Sequence, residues 1–202
     1  KDFYGLVLGA VQARVERGLE RETLLGLAPA LLHALDERHM LFYSPDDRSG
    51  AVAAERGWDG ALRTGPGDML MVVSSNVGFN KANALVAQSL HYAVDLSDPD
   101  QPRSTLIVAL EHPGPGERAC VQTSRVDPTY EQMMQRCYWD YLRVLAPAGT
   151  QLVSATLHPI AGEDLLGGVA RSGEAAHGPS ELGREVFANL LLVRPGQHVE
   201  AR

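Results

Sequence analysis

The side chains alternate between apolar and polar from Ala87 onward, and this period of two constrains the fold more than any other feature of the sequence. In the first alternating stretch one face carries Leu90, Tyr92, Val94 and Leu96. A second stretch, Thr105–Glu111, repeats the alternation, and residues 97–104, rich in Pro and Asp, connect the two. The pair therefore predicts a β-hairpin with a long loop.

Further strands are predicted downstream of the hairpin at residues 138–145, 151–157 and 186–193. A turn around Pro195 leads towards another strand at the end of the chain. The only helix predicted among these strands begins at Asp127 and ends near Gln135. The glycine-rich residues 165–183 are typical of a mobile surface loop. Several strands with one intervening helix favour an antiparallel β-sandwich over repeated βαβ units.

The first part of the chain has helical periodicity instead. It predicts helices at residues 3–17, 24–36 (kinked at Pro29) and 49–56, and short buried strands at residues 40–43 and 69–73, placed side by side. We therefore predict an α+β fold, with N-terminal helices and a short α/β segment followed by an antiparallel β-sandwich. Residues 1–83 would form the end of an upstream domain, and residues 84–202 a sandwich truncated at its C-terminal end.

Composition limits the functions that the chain can have. Its 202 residues, 45% hydrophobic and 21% charged, are typical of a globular protein with a buried core. A formal net charge of −7 argues against a nucleic-acid partner, because such binding draws on Lys and Arg side chains that neutralise phosphates. Because the chain begins at Lys1 and ends soon after a turn, we expect the natural protein to continue at both ends.

The chain contains two cysteines, Cys120 and Cys137, and two arrangements of them fit the sequence. In one, the predicted short helix returns Cys137 towards Cys120 and a disulfide forms, which requires an oxidising compartment. In the other, the two thiols are unconnected. A zinc site is disfavoured because no CxxC motif or paired histidines lie nearby.

The motifs of common enzyme classes are absent from the sequence. The seven histidines show no metal-ligand spacing, and there is no nucleophile elbow, Walker loop or dinucleotide-binding loop. We therefore predict no catalytic residue, no metal and no cofactor.

A polar segment, residues 74–83, directly follows a predicted buried strand. Ligand-binding loops are often found at the ends of strands, and the candidate ligand-binding residues here are Asn76, Asn80 and Lys81. The alternative is structural: the asparagine amides cap the turn and pair with backbone groups, while the lysine is solvated.

A family resemblance is carried by the segments 36–44, 57–60, 67–68, 76–81, 141–144, 147–149 and 192–196. These segments resemble domain-of-unknown-function family 4012, whose members are bacterial, typically membrane-anchored and located outside the cytoplasm. It implies an extracytoplasmic location at the cell surface or envelope, an anchor in a transmembrane helix upstream of Lys1, and, together with the cysteine spacing, a Cys120–Cys137 disulfide. It also implies further strands beyond Arg202, which would leave an open sheet edge in this chain.

The upstream region of that family in turn resembles the LytR-CpsA-Psr transferases, which attach glycopolymers to the cell wall. Two functions follow as expectations. The first is a non-catalytic extracytoplasmic module of the cell envelope, structural or binding, with a cell-wall polymer or another envelope protein as partner, or a second copy paired through an open sheet edge. The alternative is the downstream part of such a transferase, whose catalytic residues would lie before Lys1.

Overall fold

The computed structural model describes residues 3–18, 20–63, 67–116, 119–124 and 127–202. The chain divides into two compact units, residues 1–63 and residues 64–202. The predicted boundary after residue 83 lies inside the second unit, because the strand at 71–76 pairs with a later strand of that unit.

The described residues of the first unit form three helices at the positions predicted for helices, α1 (Phe3–Glu16), α2 (Arg21–Asp36) and α3 (Asp47–Arg56). The carboxylate of Asp46 caps α3 by accepting a hydrogen bond of 2.8 Å from the backbone N–H of Ser49. Gly57 ends the same helix with a φ of 75°, a conformation that favours glycine.

The strand predicted at residues 40–43 does not form. All four side chains are exposed. The backbone of the segment donates to other parts of the unit from Met40 N–H to the Ala34 carbonyl oxygen at 3.1 Å and from Phe42 N–H to the Trp58 carbonyl oxygen at 2.8 Å. The described residues of this unit include no strand with which it could pair. A short apolar run indicates burial only when a partner is available, and for that reason the prediction was wrong.

In the second unit, the residues that the structure describes form two antiparallel sheets. Its elements are β1 (Met71–Asn76), β2 (Ala87–Asp95), β3 (Arg103–Glu111), α4 (Tyr130–Met134), β4 (Tyr138–Ala146), β5 (Ala176–His177), β6 (Glu185–Val193) and β7 (His198–Ala201). One sheet has the order β1-β4-β6-β5 and the other the order β2-β3-β7, so β1 and β2 are both edge strands. The predicted α+β fold with a sandwich is confirmed, including the antiparallel β2–β3 hairpin.

The main core lies between the two sheets. It joins buried side chains of both sheets: Val108, Leu110, Tyr138, Leu142, Leu191 and Val193, together with Ala82. Alternation along each strand places these residues on one face, so burial follows from the pattern of the sequence.

A second core covers the opposite face of β4 and β6. Trp139 and Leu190 pack there with Cys120, Cys137 and Ile160. Strand β4 thus buries both of its faces near its beginning, which explains why its sequence is apolar at consecutive positions.

Three other predictions differ from the structure. Residues 151–157 belong to no sheet, and Thr156 N–H donates to the carbonyl oxygen of Arg202 at 2.9 Å. Helix α4 begins after Thr129, whose side chain caps it in place of Asp127. The glycine-rich segment contains β5, and its Gly173 carbonyl accepts a hydrogen bond of 3.0 Å from His158 N–H, so part of it is paired backbone.

Among the described residues, no helix is long and apolar enough to cross a bilayer.

Candidate functional site

Asn76, the last residue of β1, organises the turn that follows the strand. Its Oδ1 accepts a hydrogen bond from Gly78 N–H at 2.9 Å. Its Nδ2 donates to the backbone oxygen and to Oδ1 of Asn80, both at 3.1 Å, and to Oδ1 of Asn83 at 2.8 Å. One amide thus joins three positions of the turn, as asparagine does in Asx turns.

Asn80 fastens the same turn to the rest of the fold. Its side chain is buried, its Nδ2 donates to the carbonyl oxygen of Cys137 at 2.9 Å, and its Oδ1 accepts from Ala82 N–H at 2.9 Å. Gly78 permits the close approach of this turn, since a Cβ there would lie 2.7 Å from a ring carbon of Trp139. The buried amide of Asn80 is therefore used in packing the loop against β4.

The third predicted ligand-binding residue, Lys81, has an exposed side chain. Its backbone N–H donates to the Met133 carbonyl oxygen at 3.2 Å. The structure therefore brings Asn76 and Asn80 into direct contact and leaves the Lys81 side chain in solvent. A ligand at these three residues stays a prediction.

A pocket of about 220 Å³ lies beside Asn76, between the edge strands of the two sheets. Its polar lining consists of Ser74, Asn76, Asn83, Gln88 and Tyr138. Val86 and Leu110 complete the lining with apolar surface. Gln88 Nε2 donates to Ser74 Oγ at 2.9 Å, and this hydrogen bond links β2 to β1 across the pocket.

Asp140 lies next to this pocket, fully buried in β4 and opposite Asn76 in the register of the sheet. Its Oδ1 accepts a hydrogen bond from Ser75 N–H at 2.9 Å. Its Oδ2 is also buried and has no hydrogen-bond partner of good geometry among the described residues. A buried carboxylate with an unused acceptor is unfavourable in its charged form.

The protonation of Asp140 and Tyr138 follows from this burial. Burial raises the pKa of Asp140 above its usual range, and the nearby hydroxyls of Ser74 and Tyr138 and the N–H of Ser75 offset part of that rise. Burial, and then the Asp140 carboxyl, hold the pKa of Tyr138 well above its usual range. The pocket thus presents hydroxyl and amide groups that are neutral at physiological pH.

The sequence contains a signal for the special position of Asp140, although Asp140 is not among the predicted site residues. An acidic residue interrupts the run Tyr138–Leu145, and the period of two puts it on the same face as Tyr138 and Leu142. Aspartate is rarely fully buried unless it is paired, so an aspartate on the inward face of a predicted core strand indicates a polar interaction in the core.

Cys120 and Cys137 form a disulfide, with their Cα atoms 5.6 Å apart. Both residues are buried, and Trp139 packs against them in the second core. Arg194 lies alongside, with Nη1 at 2.9 Å from Cys120 Sγ and Nη2 at 2.7 Å from Asp164 Oδ2. The disulfide is therefore part of the interior of the fold.

No group of three or more His, Cys, Asp or Glu side chains within the described ranges could hold a metal ion. Comparison of the chain with protein-family models, with curated proteins and with solved structures finds no match.

Proposed function

We propose that the chain is a non-catalytic, extracytoplasmic module of the bacterial cell envelope, with a structural or binding role. The observation that carries this proposal is the buried Cys120–Cys137 disulfide. Disulfides persist in oxidising compartments and are rare in the cytosol, where thiols are kept reduced.

The position of the disulfide supports a structural role for it. Cys137 directly precedes β4, and its carbonyl oxygen accepts the hydrogen bond from Asn80. The bridge therefore connects the loop at Cys120 to the start of a strand that is buried on both faces. Reduction would loosen the contacts of Trp139 and Ile160, which pack beside the sulfur atoms.

The chemistry of the pocket supports a binding role in preference to catalysis. General acid–base catalysis relies on a group whose pKa lies near the working pH and which reaches the substrate. Tyr138 has a pKa far above that range, and Asp140 is fully buried and does not line the pocket. Neutral hydrogen-bonding groups of this kind recognise a partner without transferring a proton to it.

The partner that this location favours is a cell-wall polymer or another envelope protein. The resemblance to family 4012 supports the same location, with an anchor supplied by a segment outside this chain. In the part of the chain that the structure describes, the edge strands β1 and β2 each have one side without a partner strand. Pairing of such an edge with a second copy is another form of association.

Production of the chain in two compartments of a bacterial host tests the proposal. Protein directed to the periplasm should contain no reactive thiol and should unfold at a higher urea concentration than protein made in the cytosol. Addition of a reductant should remove that difference. Two alkylatable thiols in the periplasmic protein, with equal stability in the two preparations, would contradict the proposal.

The transferase alternative makes a different prediction, which depends on the exposed side chain of Lys81. If this lysine approaches a phosphate-bearing lipid, the Lys81→Ala variant of the protein extended by its upstream residues should bind polyprenyl pyrophosphate more weakly. The variant Arg103→Ala, which removes an exposed cation on β3, provides the matched control. Equal affinity of Lys81→Ala and the unaltered protein would exclude the loop from such a site.

A further inference from the structure

We propose that the pocket between β1 and β2 binds a small, uncharged ligand rich in hydroxyl groups, of the size of a single sugar ring. This inference goes beyond the proposed function, since it depends on the lining of the pocket and not on the compartment.

The volume of the pocket sets the size of the ligand. About 220 Å³ corresponds to roughly seven water molecules, at ~30 Å³ each in the liquid. It lies below the ~300–1,000 Å³ that is typical of sites for drug-sized molecules. One ring with its substituents matches this space, and a longer chain would have to extend into solvent.

The hydrogen bonds within the lining determine which groups remain for a ligand. Asn83 Oδ1 already accepts from Asn76, so the Nδ2 of Asn83 is the donor that this side chain still offers. Gln88 Nε2 already donates to Ser74, so the Oε1 of Gln88 is the acceptor that it still offers. A hydroxyl group both donates and accepts, and is therefore matched to this pair of amides.

The hydroxyl group of Ser74 is held in place within the lining. Its Oγ accepts the hydrogen bond from Gln88 Nε2 at 2.9 Å. A group held in this way loses little rotational freedom when a ligand arrives, which favours binding by a small molecule. The buried carboxyl group of Asp140 interacts electrostatically with the hydroxyls of Ser74 and Tyr138 and does not itself line the pocket.

The charge of the lining selects against ionic ligands. All five polar lining residues are neutral, and the apolar surface of Val86 and Leu110 completes the lining. An anion or cation in this space would lose hydration without gaining a counter-charge. The C–H groups of a sugar ring, in contrast, can rest on the apolar residues while its hydroxyls face the amides.

Nuclear magnetic resonance titration of the full chain tests the proposal. The probes are D-glucose, N-acetyl-D-glucosamine and, as a charged probe, inorganic phosphate. We expect at least one of the two sugars to shift the side-chain amide signals of Asn83 and Gln88 saturably, with a dissociation constant of about 1–10 mM. Phosphate should produce no saturable shift of these signals.

Variants of Gln88 separate binding at the pocket from binding elsewhere. Gln88→Leu removes the acceptor and should weaken binding about tenfold, which corresponds to ~1.4 kcal/mol. Gln101→Leu, in the exposed loop between β2 and β3, is the matched control and should bind as the unaltered protein does. If Gln88→Leu does not fold, Gln88→Glu keeps the size of the side chain and should weaken binding by introducing a charge.

The proposal is overturned if neither sugar gives a saturable shift at concentrations up to about 100 mM. It is also overturned if the shifts lie outside the pocket, if phosphate shifts the same signals saturably, or if the variant of Gln88 that folds binds as tightly as Gln101→Leu. None of these results affects the thiol measurement on periplasmic protein, so the two proposals fail independently.

Discussion

Replacement of Asp140 by asparagine changes the pH dependence of stability in a direction that the structure determines. The carboxyl group is fully buried, its Oδ2 has no hydrogen-bond partner of good geometry among the described residues, and burial raises its pKa. Asparagine has nearly the same shape and stays neutral at all pH values used. Asp140→Asn therefore removes one titrating group from the interior.

The magnitude follows from counting protons. In the unfolded chain Asp140 has the ordinary aspartate pKa of 3.8, whereas the folded protein retains the proton to a higher pH. Between these two pKa values the folded state binds one proton more than the unfolded state, so the free energy of unfolding falls as pH rises. The slope for one group approaches about 1.4 kcal/mol per pH unit. The contribution of this retained proton to the free energy of unfolding is fully present below pH 3.8 and is lost as pH rises through the pKa of Asp140 in the folded protein.

Urea denaturation of the original protein and of Asp140→Asn, from about pH 4 to pH 8, measures the effect. As pH rises, the free energy of unfolding of Asp140→Asn should increase relative to that of the original protein. The slope of this difference should be at most about 1.4 kcal/mol per pH unit, the value for one proton. Asp98→Asn, at an exposed carboxylate in the loop after β2, controls for the loss of a negative charge. A difference that is constant over this range, or one that favours Asp140 as pH rises, would refute the account of its burial.

Three further predictions concern stability measured by urea denaturation. The double variant Cys120→Ala/Cys137→Ala should lose about 3 kcal/mol, because the bridge closes a loop with a sequence separation of 17; a loss below about 1 kcal/mol would contradict this. Leu191→Ala should cost ~2–5 kcal/mol, since this side chain is fully buried between the sheets, and a cost near that of an exposed leucine would be evidence against the shared core. Gly173→Ala should cost at least about 2 kcal/mol, because a Cβ there would lie 2.0 Å from the backbone of His158 at a φ of +81°; an unchanged midpoint would show that the backbone relaxes.

The strands with the clearest alternation were the ones that could be predicted from sequence. The hairpin of β2 and β3 and the strands β4 and β6 lie within a few residues of their predicted bounds. In β3, β4 and β6, side chains on one face pack into a core, so a local pattern contains the information about burial. In β2 the alternation predicted the strand but not its burial, because Leu90 and Val94 on the apolar face are 50% and 43% exposed.

Predictions failed where pairing depended on a distant partner. Residues 40–43 and 151–157 have strand-like sequences, but neither segment lies in a sheet. Their patterns specify which side chains would face inward and do not specify whether another strand lies beside them. The start of α4 was misplaced for a related reason, because Asp127 and Thr129 are both good caps and local sequence does not choose between them.

The candidate site contains contacts between residues that are close in sequence and contacts between residues that are far apart in sequence. The turn around Asn76 was recognisable because its hydrogen bonds reach only a few residues along the chain. The pocket was not, because it requires Ser74, Gln88 and Tyr138 to meet across two sheets. The role of Asn80 likewise depends on the carbonyl oxygen of Cys137, which is far away in sequence.

Methyl–methyl nuclear Overhauser effects are the most direct test of the claim that two β-layers share one interior. Val108 and Leu110 belong to one sheet, and Leu191 and Val193 belong to the other. We expect cross-peaks between the methyl groups of these two pairs in protein prepared without reductant. Their absence, with cross-peaks only between residues of the same sheet, would contradict the sandwich and the functional proposals that depend on it.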